Sequence, residues 1–221
     1  MIKGVLFDFN GTLFYDSWIH EEVWIQFFKE KLNYEMSKEE FMQRIFGRDN
    51  NAIIKDMFGI DDLEKVHALS EEKEVMYRDV CRSMDISLVK GAQDFFDYLV
   101  EKKIPFNIAT GANQSNVDFY FEAFHLDKWF DYSKVVCDDG YLPGKPDPTV
   151  YLKAAENLNM DASECIIIED STTGVKAAKA AHAKEIYVIS NKETFSEEVN
   201  AVVKDFHELM EKLSLMTNYS Q

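Results

Sequence analysis

Apolar residues recur at two different periods along the chain, and the change of period divides it. The first apolar run, IKGVLFDF, stops at the glycine-containing turn NGT, as a buried parallel strand does, and leaves Asp8 at its carboxyl end. Residues 18–32, WIHEEVWIQFFKEKL, instead place Ile19, Val23, Trp24, Phe27, Phe28 and Leu32 near helical spacing. The aromatic cluster Trp18, Trp24, Phe27 and Phe28 therefore reads as the core of a helical segment. Ser37 with Glu40 forms a capping box ahead of FMQRIF, and a further helical pattern runs from Ser70 to about Met84. Between residues 15 and 88 the pattern predicts several helices and no strand.

After Val89 strand and helix patterns alternate, the signature of a parallel sheet. GAQDFFDYLVEKK reads as a helix, PFNIAT as a strand, QSNVDFYFEAF as a helix and KVVC as a short strand. DPTVYLKAAENL is a helix with Asp147 as its cap and Pro148 at the first helical position. CIIIED and EIYVIS are strands on either side of the helix TGVKAAKAA; NAVV is an edge strand and FHELMEKL the last helix. The expected fold class is α/β: a doubly wound, Rossmann-like parallel-sheet core over residues 1–14 and 89–221, interrupted by an all-helical domain over residues 15–88.

With 221 residues and 46% hydrophobic composition the chain can bury a sizeable core in one or two domains. Its 24 basic and 40 acidic residues give a formal charge of -16, which repels phosphate backbones and anionic lipid. Nucleic acid and membrane are thus poor partners, and a monomer is the default. A small phosphorylated ligand stays compatible, because a few cations, backbone amides and a metal ion set the local field. Cys81, Cys137 and Cys165 lack CxxC spacing and are odd in number, so they read as reduced thiols. No window approaches the ~18 apolar residues of a membrane span, and no signal-peptide pattern is visible. A cytoplasmic location is expected.

Chemistry-bearing residues gather at four strand ends: Asp8 after GVLF, Thr110 after FNIA, Lys145 in the loop PGKPDP, and Glu169-Asp170 after CIII. In an open parallel sheet, ligands bind at the carboxyl ends of the strands, so residues far apart in sequence can share one crevice. Their types suit phosphoryl transfer. A carboxylate such as Asp8 can attack phosphorus once the negative charges are screened. Mg²⁺, held by Asp8 and Asp170 with Glu169 reaching it through water, would screen them. Lys145 would neutralise the transferring group, and the Thr110 hydroxyl with the amides of Gly111 and Ala112 would hold its other oxygens. Taken singly these are ordinary turn, cap and surface residues. The adjacent acids Glu169 and Asp170 are more specific, since they repel unless something positive is near.

Together these residues resemble the motifs of the haloacid dehalogenase superfamily of aspartate-nucleophile phosphatases, and more narrowly its β-phosphoglucomutase-like branch with a helical cap after the first motif. DxDGT appears as DFNGT at Asp8 to Thr12, the Ser or Thr motif as IATGAN with Thr110, the Lys before Pro as GKPDP with Lys145, and the acidic pair as IIIEDS with Glu169 and Asp170. The resemblance implies that Asp8 is the nucleophile. It implies that the main-chain carbonyl of Asn10 and the side chain of Asp170 bind Mg²⁺, and that Thr110 and Lys145 bind the phosphoryl group, with Asn113 also on the substrate side. It places His20 and FGRDNN, with Gly47 and Arg48, in cap positions facing the core site, where Arg48 could pair with a second anionic group. Read alone, His20 belongs to an amphipathic helix and Arg48 is a surface charge.

One position departs from the family pattern. The family's second Asp protonates the departing oxygen and then deprotonates the attacking water; the amide of Asn10 can do neither. That loss costs ~10²- to 10⁴-fold, felt most by alkyl phosphates with strongly basic leaving groups. The expectation is a Mg²⁺-dependent, phosphatase-like hydrolase of a small, sugar-phosphate-like organophosphate, acting through phosphorylated Asp8 and impaired on alkyl esters. The alternatives are a phosphometabolite-binding or regulatory protein that kept the pocket, an Asp-to-Asn variant made to trap a complex, and a mutase. The missing acid-base group ranks the mutase last.

Overall fold

A computed structural model describes residues 2–191 and 195–218. The chain divides into two compact units, Met1–Tyr15 with Ser87–Gln221, and Asp16–Ile86.

The unit Asp16–Ile86 consists of the helices α1 (Ser17–Leu32), α2 (Lys38–Arg44), α3 (Asn50–Phe58) and α4 (Leu63–Arg82). Trp24, Phe27 and Phe28 of α1 are buried with Phe41, Ile53, Ile54 and Val66 in one apolar cluster, so the helical spacing read from the sequence is core packing. Ser37 Oγ accepts the Glu40 N–H at 3.1 Å, but the Glu40 carboxylate bonds Tyr34 and Arg44, so only half of the capping box forms. Helix α4 starts well ahead of Ser70, because the Asp62 side chain caps it through the amides of Glu64 and Lys65. Helix α3, capped by Asp49, is an element the hydrophobic pattern did not single out.

The other unit holds a parallel sheet of β1 (Gly4–Phe7), β2 (Phe106–Asn113), β3 (Val136–Asp138), β4 (Cys165–Glu169), β5 (Glu185–Ile189) and β6 (Ala201–Val203), in the order β3-β2-β1-β4-β5-β6. From β1 the chain builds outward through β2 to β3, then crosses back so that β4 pairs with the other side of β1. The strand order reverses there, and in open parallel sheets such a reversal is where ligands bind, beyond the carboxyl ends of the strands. Phe7 stands opposite Ile108 of β2 and Ile168 of β4, and the Asp8 N–H extends the ladder to the Ile168 carbonyl at 3.0 Å.

Five helices accompany these strands: α5 (Ala92–Glu101), α6 (Gln114–Phe124), α7 (Thr149–Glu156), α8 (Thr172–Ala180) and α9 (Phe206–Asn218). The two sides of β1 read directly from its alternation. The Phe7 ring meets Phe95 and Phe96 of α5 and Phe206 of α9 at centroid distances of 6.0, 5.4 and 6.0 Å. Leu6 instead joins Ile167, Val188, Tyr151 of α7 and Val175 of α8 in a second cluster. Helices therefore cover both faces of the sheet. Two boundaries differ from the sequence reading. Strand β2 continues past Thr110 to Asn113, and Pro148 occupies the cap position of α7 instead of its first turn, while Asp147 still accepts the Thr149 amide at 2.9 Å. Among the described residues, no helix is long and apolar enough to cross a membrane.

Candidate active site

Asp8 lies one residue beyond β1, and Glu169 is the last residue of β4; both side chains are buried. Lys145, on the loop after β3, places Nζ 2.5 Å from Asp8 Oδ1 and 2.5 Å from Glu169 Oε1. Tyr151 of α7 donates its hydroxyl to the same Glu169 oxygen at 2.5 Å, and Lys145 Nζ sits 4.9 Å from the centroid of its ring. The other oxygen, Glu169 Oε2, accepts the amides of Asp170 and Ser171 at 3.0 and 3.1 Å and the Ser171 hydroxyl at 3.0 Å. Ser171 Oγ also accepts the Gly174 N–H at 3.0 Å, which caps the start of α8.

The protonation of this cluster follows from burial and pairing. Burial opposes the charge of Glu169, but Lys145, Tyr151 and the Ser171 amide hold its carboxyl below the ordinary range. Burial also opposes the charge of Lys145, and Asp8 and Glu169 outweigh it, so its ammonium is held above the usual value. The Asp8 carboxyl is pushed up to about 7, first by burial and further by Glu169, against the pull of Lys145.

Two glycines make room for the acids. Gly11 has φ +81°, and a Cβ there would lie 2.0 Å from Asp170 Oδ2. A Cβ at Gly174 would lie 1.8 Å from Glu169 Oε1. The DFNGT loop winds tightly around the Phe9 carbonyl, which accepts the amides of Thr12, Leu13 and Phe14 at 3.2, 2.8 and 3.2 Å. Carboxylate oxygens of Asp8, Glu169 and Asp170 lie within 4.8 Å of one another. Three acids facing one ammonium leave negative charge that a hard, oxygen-binding cation fits.

Asn10 is held from two sides. Its Nδ2 donates to the Tyr120 hydroxyl at 2.7 Å, and the Thr110 hydroxyl donates to its Oδ1 at 3.4 Å. Thr110 Oγ1 in turn accepts the Ala112 amide at 3.1 Å, so two groups expected to hold phosphoryl oxygens bond each other here. Gly111 is exposed on β2, and Asn113 caps α6 through the Asn116 amide at 3.0 Å. The sequence reading did not single out Tyr120, Tyr151 or Ser171. Tyr120 lies in the apolar pattern DFYFEAF and Tyr151 in a helical pattern, where each reads as packing; only their hydroxyls, placed by the fold, distinguish them.

His20 and Arg48 belong to the helical unit. His20 of α1 stacks on Tyr77 at 4.1 Å and lies between Asp16, 3.3 Å from Nε2, and the Lys73 Nζ, 2.8 Å from Nδ1. Lys73 is buried and also donates to Glu74 at 2.8 Å. Arg48 donates to Asp56 at 3.1 Å and to the Arg44 carbonyl at 2.7 Å, and Gly47 before it has φ +74°.

Residues 2–182 match the family described as haloacid dehalogenase-like hydrolase. A haloacid dehalogenase hydrolase of family IA, variant 3, from Entamoeba histolytica is 34% identical, with a TM-score of 0.88 over 97% of this chain and 99% of that one. A phosphorylated carbohydrates phosphatase from Thermotoga maritima is 28% identical over 197 residues, covering 84% of both chains. An Asp-to-Asn mutant of CbbY from Rhodobacter sphaeroides, solved with xylulose 1,5-bisphosphate, shares the fold at 23% identity, with a TM-score of 0.78 over 95% of this chain and 96% of that one.

Proposed function

Because the chain belongs to the haloacid dehalogenase-like hydrolase family, we propose that it removes phosphate from a small phosphorylated metabolite, with Asp8 as the attacking group. The observation that carries this reading is the placement of Lys145 Nζ 2.5 Å from both Asp8 and Glu169. A nucleophilic carboxylate and a cation for the incoming phosphoryl group are thus one unit, held in place by a buried acid.

In the first step an Asp8 oxygen forms a bond to phosphorus as the bond to the leaving oxygen breaks, giving an aspartyl phosphate. Lys145 stays protonated and turns its ammonium toward the phosphoryl oxygens, while Glu169 keeps it anchored. Water then attacks phosphorus as the bond between phosphorus and the Asp8 oxygen breaks, which restores the carboxylate, and the water's proton leaves on the released phosphate. Asp8, Asp170 and the main-chain carbonyl of Asn10 would hold Mg²⁺, which when bound supplies charge neutralisation for the transferring group. Asn10 neither gives the leaving oxygen a proton nor takes one from water, so substrates whose leaving group is a weak base, aryl and acyl phosphates, are turned over best. The carbohydrate phosphates acted on by the Thermotoga relative and the bisphosphate bound to the CbbY mutant support a phosphorylated sugar as the natural class.

Phosphate release from p-nitrophenyl phosphate with Mg²⁺ tests the reading. It should vanish in Asp8→Ala; release that survives that change discards Asp8 as nucleophile. A second reading, binding without turnover, is favoured by Asn10 itself. Calorimetric, Mg²⁺-dependent binding of sugar phosphates with no release from alkyl, aryl or acyl esters would select it.

A further inference from the structure

The amide that replaces the expected acid is not loose. Its Nδ2 donates to Tyr120, whose ring is 1% exposed and stacks on Phe9 at 4.1 Å and 12°, and Phe9 sits between Asp8 and Asn10 in the chain. Phe119 meets the same ring edge-on at 5.8 Å, so the phenol has little freedom to move. The Thr110 hydroxyl has a single proton, and it goes to Asn10 Oδ1. The amide oxygen thus lies toward Thr110 and the NH₂ toward Tyr120.

We propose that Tyr120 is a positioning residue: its hydroxyl accepts from Asn10 and sets the orientation of residue 10 beside the nucleophile. The inference rests on the phosphatase reading for its kinetic consequence but not for its geometry. A free asparagine side chain samples several rotamers. One bonded at both ends keeps a single orientation. The Tyr120 hydroxyl meets Asn10 and its ring meets Phe9, so its influence on the nucleophile runs through the DFNGT loop.

Two measurements on Tyr120→Phe, which keeps the ring stacked on Phe9 and removes only the hydroxyl, separate this role from packing. The first needs no turnover: solvent exchange of the Asn10 side-chain NH₂ by NMR, with its signals assigned by their loss in Asn10→Asp. Exchange should quicken in Tyr120→Phe; unchanged exchange overturns the proposal. The second is a double-mutant cycle on p-nitrophenyl phosphate. Tyr120→Phe should lower kcat about three- to tenfold with KM unchanged in the Asn10 protein, the size of one lost hydrogen bond. It should have no effect in the Asn10→Ala background. An equal loss in both backgrounds means that the phenol acts independently of residue 10, and overturns the proposal. If Asp8→Ala abolishes no activity, the phosphatase reading fails while the exchange experiment still decides Tyr120.

Discussion

Tyr151 donates its hydroxyl to the Glu169 oxygen that also accepts Lys145, at 2.5 Å. A neutral donor on α7 therefore holds a buried acid, and the acid holds the cation beside Asp8. Tyr151→Phe should cost about 1.5–3 kcal/mol, the worth of a hydrogen bond to a charged partner. It should also lower kcat on aryl phosphate as Lys145 loses a fixed anchor. Urea unfolding and initial rates check the two effects.

Gly174→Ala sets two opposing terms against each other. Alanine in a helix is worth about 1 kcal/mol over glycine. A Cβ 1.8 Å from Glu169 Oε1 cannot be accommodated without moving a buried carboxylate, and such overpacking costs about 1–3 kcal/mol. Steric cost should prevail, giving a lower Tm and a weaker enzyme; a raised Tm would show that Glu169 moves aside freely.

In the helical unit, Lys73 is buried against Glu74 at 2.8 Å and His20 at 2.8 Å. Lys73→Met removes a buried cation from a buried acid, so unfolding should lose about 3–5 kcal/mol. Adding Glu74→Gln should return part of it, because the buried charge that Lys73 balanced disappears. If the single and double variants unfold at the same urea concentration, the pair is not coupled.

Burial pushes the thiols of Cys81 and Cys165 up to about 12 and about 11. An unfolded cysteine titrates near 9.0, so from about pH 9 up to about 11 for Cys165 and about 12 for Cys81 the unfolded chain gives up protons that the folded chain keeps. Stability is fully present below that window and falls as pH rises through it. The urea midpoint should drop between pH 8 and 10.5, and the drop should shrink in Cys81→Ala.

The hydrophobic pattern made most of the fold legible. A fully buried four-residue β1 can only read as a continuous apolar run, and the alternation after Val89 follows from helices covering both faces of a parallel sheet. Helix α3 and the start of α4 were not legible, because side-chain caps from Asp49 and Asp62 and packing within the unit set them, not a strong periodicity of their own. Asp8, Lys145, Glu169 and Asp170 were legible as chemistry-bearing residue types near the ends of apolar runs, whereas Thr110, read as ending a strand, lies inside β2.

The sequence by itself determined the alternation of strands and helices, the residues of the four motifs and the amide at Asn10, because these depend on residue identity and local period. Only the tertiary structure decided that Lys145 joins Asp8 to Glu169, that Tyr151 steadies Glu169, and that Tyr120 and Thr110 grip Asn10 from opposite ends. Those contacts span 137, 24, 18, 110 and 100 positions along the chain. No local pattern encodes them; the parallel sheet brings its carboxyl ends together and so decides which hydroxyl meets which acid.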